Sequence, residues 1–216
     1  MASSGEEIRN YRLKKLELLK KAGIDPYPAK LSFAVSEIVS VKKNFKKLAS
    51  SKKALGIAGR ILAKREHGGS MFLDIFDGST SLATGGKLQI FLSKDKIGVD
   101  SYNLFSETVD IGDFAAFLGK AFYTKRKEPT IEVSRWEMLA KSLLPMPEKW
   151  HGLQDIEERF RKRYLDLLMN PEARDKFNVR AKIISVMRTL LDKDGYIEVE
   201  TPFLQPLYGG ALAEPF

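Results

Sequence analysis

The chain has 216 residues, of which 44% are hydrophobic, and 36 Lys and Arg against 28 Asp and Glu give it a net charge of +8. This excess indicates either an acidic partner or simply a basic soluble surface. The absence of cysteine excludes disulfides and thiolate metal sites, and two histidines far apart make a histidine metal site implausible. No apolar run approaches a membrane span and the N-terminus lacks an apolar signal core, so we expect a cytoplasmic protein without membrane contact.

Residues 1–53 are predicted to form a basic helical extension. Apolar residues at helical spacing among many charges, followed by a glycine, predict an amphipathic helix over residues 4–21. Two interpretations of this helix stay open: it lies along RNA phosphates, or it packs as a solvated helix on the next domain. A second helix is predicted over residues 36–48 with Ser36 as its N-cap, and its lysines continue into a positive patch that ends at residue 53.

From residue 54 the hydrophobic pattern changes to period two, which is typical of β-strands with one buried face. Five strands, with a short helix between the third and the fourth, predict a five-stranded OB barrel over residues 54–140. The five predicted strands include residues 57–62, 71–76, 88–92, 114–122 and 130–138.

The side chains predicted to lie on the outer face of this barrel suit nucleic-acid binding. If the aliphatic residues of the second strand point inward, Phe72 and Phe76 point outward, and Arg60 and Gln89 on the neighbouring strands do the same. OB domains bind oligonucleotides on their second and third strands, and each base stacked on an aromatic ring contributes about 1–3 kcal/mol. The alternative is that the N-terminal helices cover Phe72 or Phe76 as ordinary core.

A proline-bearing stretch at residues 141–152 predicts a linker, and residues 153–216 predict the start of a second domain. A helix is expected over residues 152–167, because its acidic first turns and basic middle suit the helix dipole. A further helix is predicted with Asn170 as its cap and Pro171 as its first residue.

That last helix is expected to end at Gly195, followed by a short strand over residues 196–199 that Pro202 stops. The sequence contains no Gly-rich phosphate loop and no nucleophile motif with its own base. The carboxylate pairs Glu157 with Glu158 and Glu198 with Glu200 are therefore interpreted as solvated or dimer-facing charges, not as acid and base catalysts.

Three sequence strings together carry a resemblance to a known family. The long string from Lys149 to Leu167, Lys-Trp-His-Gly-Leu-Gln-Asp-Ile-Glu-Glu-Arg-Phe-Arg-Lys-Arg-Tyr-Leu-Asp-Leu, resembles the segment between the anticodon and catalytic domains of bacterial-type lysyl-tRNA synthetases. Ala-Gly-Arg ending at Arg60 and Lys-Leu-Gln-Ile around Gln89 match as well. Glu-Thr-Pro ending at Pro202, with a later Gly-Gly-Ala, resembles motif 1 of the class II aminoacyl-tRNA synthetases. The similarity covers nearly the whole chain, which stops just after motif 1.

The resemblance implies a fold and a function. It implies an OB-fold anticodon-binding domain with flanking helices, followed by the first helices and the motif 1 strand of an α+β class II catalytic domain. The family reads the uridine-containing anticodon of lysine tRNA. By resemblance, Arg60, Phe72 and Gln89 match the residues that grip the central uridine, and Glu128 matches an anticodon-reading glutamate.

The resemblance also assigns the end of the chain. Gly209, Gly210 and Ala211 match the loop beside the lysine substrate, and Pro202 lies near the two-fold axis of the family's homodimer. Motifs 2 and 3 are absent from the sequence, so we expect no catalytic residue, no metal ligand and no binding of ATP or Mg²⁺ by this chain, although the full-length enzyme uses both.

Three features depart from the family pattern. They are a long turn at residues 79–85, Pro129 directly after Glu128, and Glu214 where a basic residue is expected.

Two functional hypotheses follow from the sequence. The first is a portion of a lysine–tRNA ligase, which joins lysine to tRNA through a lysyl-adenylate made from ATP. The second is a stand-alone, non-catalytic tRNA-binding OB module. The presence of motif 1 favours the first hypothesis, because a module that only binds RNA has no use for a dimer helix and a substrate loop.

Overall fold

A computed structural model describes residues 5–78, 86–146, 153 and 155–202. The chain divides into two compact units, Met1–Pro171 and Glu172–Phe216. No helix within the described ranges is both long and apolar enough to cross a membrane.

Three helices precede the sheet: α1 (Gly5–Lys21), α2 (Ile38–Lys43) and α3 (Phe45–Ser51). Helix α1 follows the prediction, with acidic residues in its first turn, lysines in its last and a left-handed Gly23 (φ 74°) after it.

The predicted second helix is wrong in two respects, because it is divided at Asn44 and Ser36 does not cap it. The backbone N–H of Ser36 instead donates to the carbonyl of Gly56, which holds Ser36 alongside the first strand. The N-terminus of α2 is satisfied from elsewhere, since the Ile38 N–H donates to Asp77 Oδ2 at 2.6 Å.

Five strands form a closed barrel, as the alternating pattern predicts. They are β1 (Ala54–His67), β2 (Ser70–Phe76), β3 (Lys87–Ser93), β4 (Phe114–Tyr123) and β5 (Pro129–Ala140), and helices α4 (Lys94–Ile97) and α5 (Val99–Thr108) lie between β3 and β4. Around the barrel the order is β1, β2, β3, β5, β4. All neighbours are antiparallel except β3 and β5, which run parallel. This is the OB arrangement that the sequence predicts.

The barrel interior contains the inward residues of each strand and two side chains from α5. Ile61, Leu73 and Ile90 have no solvent exposure, the same holds for Phe105 of α5, and Tyr102 of α5 is 1% exposed. A register shift between Ile61 and Ala63 interrupts the alternation in β1, which explains why Leu62 is also buried.

A buried ionic network joins the start of β4 to the end of β5. Lys141 Nζ lies 2.6 Å from Asp110 Oδ2 and 2.7 Å from Asp113 Oδ2, and the side chains of Lys141 and Asp113 are fully buried. Lys15 of α1 reaches the other oxygen of Asp110 at 2.5 Å. Burial alone would raise the pKa of Asp110, but hydrogen bonds from Lys141 and Lys15 outweigh it, and the pKa is lowered.

Helix α1 is attached to the barrel by a second cation. The guanidinium of Arg12 donates to the backbone oxygens of Ile111, Ser142 and Leu144 at 2.9–3.0 Å. Arg12 and Lys15 are both buried. For these two residues the packing interpretation of α1 therefore holds, and neither is exposed to an RNA backbone.

The predicted helix after the linker is two helices, α6 (Ile156–Arg161) and α7 (Arg163–Met169). The side chain of Asp155 caps α6 by accepting from the Glu158 N–H at 2.6 Å. The chain breaks at Lys162, and Asp166 holds the two helices together, because its buried carboxylate accepts hydrogen bonds from Arg159, Arg163 and Asn170 at 2.5–2.7 Å.

The described part of the second unit consists of helix α8 (Pro171–Lys193), which begins at the boundary between the units, and a tail that forms neither helix nor strand as far as residue 202. As predicted, α8 begins at Pro171 and ends before a left-handed Gly195 (φ 85°), and the Tyr196 N–H donates to the Leu191 carbonyl to close the last turn. The strand predicted at residues 196–199 is wrong, because no hydrogen-bonded partner strand lies beside it in the described part of this unit.

Three of the four carboxylates in the predicted pairs form ion pairs at the surface, in agreement with the prediction that they are solvated. Glu157 pairs with Arg161, Glu158 pairs with Lys162, and Glu198 pairs with Arg188, all at exposed positions.

Candidate nucleic-acid interface

Three half-buried phenylalanines form an aromatic cluster on the outer face of the barrel: Phe72 on β2, Phe91 on β3 and Phe122 on β4. The ring centroids of Phe72 and Phe91 are 4.9 Å apart with a 42° tilt, and those of Phe91 and Phe122 are 6.2 Å apart, edge to face. Phe72 lies where the alternation predicts it. The sequence reasoning missed Phe91 and Phe122, although the alternation that places Gln89 outward also places Phe91 outward, two residues later.

Gln89 lies on the same face and is held by Thr130 across the parallel β3–β5 pairing. The buried Thr130 hydroxyl is 2.9 Å from Gln89 Oε1 and 3.1 Å from the backbone oxygen of Glu128. Among the described residues the amide nitrogen of Gln89 has no hydrogen-bond partner. The oxygen of Gln89 is therefore fixed by the barrel, while its two N–H donors can bind a ligand carbonyl.

Glu128 ends the turn between β4 and β5 and is exposed to solvent. The turn is closed by the Thr124 N–H, which donates to the Glu128 carbonyl, and by the Glu128 N–H, which donates to Thr124 Oγ1, each at 3.1 Å. Pro129 begins β5 opposite Tyr123, so this departure from the family pattern leaves the strand pairing intact. Through Thr130, the structure brings Gln89 and Glu128 close together.

Arg60 shares the outer face but contacts a different part of it. In the strand register it lies opposite Phe76 and Phe114. Its guanidinium lies 4.1 Å from the Phe114 ring centroid and donates to the Gly112 carbonyl at 2.9 Å. Burial lowers the pKa of Arg60 more than the attraction of Asp113 raises it. In this structure Arg60 makes no hydrogen bond to Gln89 and packs on Phe114, not on the aromatic cluster.

Phe76 does not take the exposed position that the alternation predicts, because only 5% of its surface is accessible. The next residue, Asp77, binds the N-terminus of α2 and so holds that helix against the end of β2. For Phe76 the packing alternative is the one observed, and no base can stack on its ring.

An ion pair that the sequence did not predict lies between Gln89 and Phe72. Arg65 donates to both oxygens of Asp74 at 2.9 and 3.0 Å, and Asp74 is opposite Gln89 while Arg65 is opposite Phe72. The hydrogen bonds that Arg65 donates to Asp74 raise the pKa of Arg65. This pairing neutralises a carboxylate that would otherwise repel an anionic ligand on this face.

Four further predicted positions belong to the end of the chain. Gly209, Gly210 and Ala211 lie outside the described residues. Pro202 is exposed at the end of the described range. Within the ranges that are described, no group of three or more His, Asp or Glu side chains is placed to hold a metal ion. The expectation that this chain binds no ATP or Mg²⁺ stays a prediction.

Two protein families match this chain in succession. Residues 56–139 match the OB-fold nucleic acid binding domain, and residues 155–216 match the tRNA synthetases class II (D, K and N). The closed barrel agrees with the first match.

Curated relatives match over nearly the whole chain. A lysine–tRNA ligase of Carboxydothermus hydrogenoformans is 46% identical over 212 residues, which cover 97% of this chain and 41% of that protein. A lysine–tRNA ligase of a Roseiflexus species is 48% identical over 211 residues, which cover 97% of this chain and 42% of that protein. A lysine–tRNA ligase of Dehalococcoides mccartyi is 42% identical over an alignment of 217 residues, which covers 98% of this chain and 42% of that protein. The chain spans about two-fifths of the length of these relatives. Its two family matches and its continuous similarity to these relatives show that the chain belongs to the lysine–tRNA ligase family of class II aminoacyl-tRNA synthetases.

Proposed function

We propose that the outer face of the barrel binds the anticodon of a lysine tRNA, so that the chain is the anticodon-binding portion of a lysine–tRNA ligase. The observation that carries the proposal is the position of Gln89. Thr130 fixes its side-chain oxygen at 2.9 Å, and its free amide group lies beside the aromatic cluster.

A uracil base fits this arrangement by its chemistry. Its ring can stack on Phe72, and the amide of Gln89 can donate to a uracil carbonyl oxygen. Because cytosine has an amino donor at the position of the uracil O4 carbonyl, a donor from Gln89 directed at that position favours uracil. Arg60 would have to leave Phe114 to reach such a base, which its long side chain allows.

Glu128 extends the same proposal to a neighbouring base. Its carboxylate is exposed at the turn before β5, and it is linked to Gln89 through Thr130. An ionised carboxylate accepts hydrogen bonds and cannot donate them. Glu128 would therefore select a base edge that donates, such as the N3–H of a second uracil.

The activity of the whole enzyme belongs to this proposal as well. The full-length protein would activate lysine with ATP and Mg²⁺ and transfer it to tRNA in the cytoplasm. It would form a homodimer through motif 1 near Pro202, with the substrate loop at Gly209, Gly210 and Ala211. We also propose the domain division 1–53, 54–140, 141–152 and 153–216. No step through ATP or the metal ion is assigned to residues of this chain.

The test is a binding titration with two RNA hairpins that share a stem and differ only in carrying uridines or cytidines in the loop. Phe72→Ala should weaken binding of the uridine hairpin by about 1–3 kcal/mol, because it removes a stacking surface. Gln89→Ala should reduce the preference for uridine over cytidine by about 0.5–1.5 kcal/mol, the usual net value of one hydrogen bond.

The matched control is Tyr11→Ala, which removes an aromatic ring that is 60% exposed on α1, outside the barrel. It should leave both affinities unchanged. Equal affinity of the parent chain for the two hairpins, or a Phe72→Ala variant that binds as the parent does, would refute the proposed anticodon site.

A further inference from the structure

The segment from Ile38 to Arg65 carries nine basic residues and no acidic one. Six of the basic residues are lysines in or just after α2 and α3: Lys42, Lys43, Lys46, Lys47, Lys52 and Lys53. All except Lys42 are exposed. Like charges concentrated on one surface repel one another. A surface that concentrates them without carboxylates therefore suits a polyanion.

These helices border a groove of about 520 Å³ against the start of β1. Polar and positively charged groups line its rim: Ser36, Ser40, Asn44, Lys47, Ser51 and Lys53. Its floor is apolar, formed by Val41, Leu48 and Leu55. None of the described residues that line the groove carries a carboxylate. Within the described part of the chain, the hydroxyls of Ser36 and Ser40 and the ammonium groups of Lys47 and Lys53 have no hydrogen-bond or ion-pair partner. They can donate to phosphate oxygens.

The lysine-bearing helix α3 packs against the end of β4, close in sequence to Phe122 of the aromatic cluster. Phe45 of α3 meets Tyr123 of β4 edge to face, with ring centroids 5.1 Å apart. Tyr123 precedes the turn that ends at Glu128, and that turn exposes Lys125, Arg126 and Lys127. Exposed positive charge therefore continues from the groove to the turn beside Gln89.

We propose that this groove is a second RNA-binding site, which holds backbone phosphates of the strand that leaves the loop read at the aromatic cluster. The placement of that strand rests on the proposed anticodon site, but the phosphate binding does not. RNA fits the groove better than an anionic membrane does, because the donors line a concave channel that is continuous with an OB nucleic-acid face.

The test compares Lys47→Ala/Lys53→Ala with the control Lys14→Ala/Lys21→Ala, which removes the same charge from exposed positions on α1. The probes are the uridine and cytidine hairpins, titrated against the 216-residue chain over a series of salt concentrations. Loss of two phosphate contacts should make the negative slope of the logarithm of the association constant against the logarithm of salt concentration shallower by about 1.4–1.8. It should also weaken binding at about 0.1 M salt roughly tenfold or more. The loss should be the same for both hairpins, and the control should change little. Thermal melting checks that each variant is folded.

The outcomes separate this proposal from the anticodon site. A uridine preference that survives in the groove variant, together with a uniform loss of affinity, supports both. A uniform loss without any uridine preference in the parent supports the groove and refutes the anticodon site. Equal losses in the groove variant and the α1 control refute the groove. The groove is also refuted if the variant keeps its RNA affinity but loses binding to phosphatidylserine vesicles.

Discussion

Replacing Lys141 by Met should destabilise the barrel strongly, because it leaves two carboxylates without their shared cation. Lys141 and Asp113 are fully buried, and Lys141 Nζ lies 2.6–2.7 Å from Asp110 and Asp113. Removing one partner of a buried ion pair costs about 3–5 kcal/mol. We expect the lower end of this range, because Asp110 keeps Lys15 and Asp113 keeps the backbone N–H groups of Asp110 and Ser142.

A loss of about 3 kcal/mol corresponds to a fall in Tm of roughly 6–12 °C for a protein of this size. Circular dichroism melting measures it directly. The matched control is Lys96→Met, which removes a cation 3.4 Å from Glu132 at an exposed position and should cost about 0–1 kcal/mol.

The pH dependence of the deficit provides a second readout of the same prediction. Because the folded state lowers the pKa of Asp110, this group stabilises the parent above the ordinary Asp pKa of about 3.9, and the contribution is lost as the pH falls through the lowered value. The difference in Tm between parent and variant should therefore narrow below about pH 4. If the two variants melt together at neutral pH, the reasoning about the buried network is wrong.

Two further predictions concern strand β4 and helix α5. Gly119→Ala should lower the free energy of unfolding by about 1–3 kcal/mol or more, because the added Cβ would lie 2.2 Å from the backbone oxygen of Glu132 on β5. A urea titration measures this loss. The control Gly68→Ala, at a position with open space around it but a positive φ, should cost less. Tyr102 should ionise late in a spectrophotometric pH titration. Burial, with a hydrogen bond to Glu66, raises its pKa to about 12, so stability should fall as the pH rises above the ordinary tyrosine value of about 10. A Tyr102 absorbance change centred near pH 10 would contradict this assignment.

The barrel could be predicted from the sequence because its signal is local. In β3 the alternation of Leu88, Ile90 and Leu92 with Gln89 and Phe91 matches the observed burial residue by residue. The end of α8 could also be predicted from the sequence, because a glycine at that point favours the left-handed conformation that Gly195 adopts. The predicted strand after it failed, since a strand depends on a partner and not on its own residues alone.

The candidate site was only partly predictable, because several of its contacts join distant strands. The sequence indicates that Phe72 and Gln89 share a face, but the support of Gln89 by Thr130 depends on the parallel pairing of β3 with β5, 41 residues apart. The resemblance groups Arg60 with these residues, whereas its observed contact is with Phe114. The network of Lys141 could not be predicted either, since its partners lie 28 and 31 residues away in segments without periodicity.

The attachment of α1 by Arg12 has a consequence for the order in which the protein assembles. Two of the carbonyl groups that Arg12 binds are 130 and 132 residues further along the chain. At a synthesis rate of about 5–20 residues per second, α1 waits roughly 7–26 s before those partners exist. A lone helix of this length is marginal in water, and through this interval α1 lacks the two carbonyl contacts that attach Arg12 to the end of the barrel. The first helix to be synthesised therefore completes its contacts with the barrel only after the last strand of the barrel has been made.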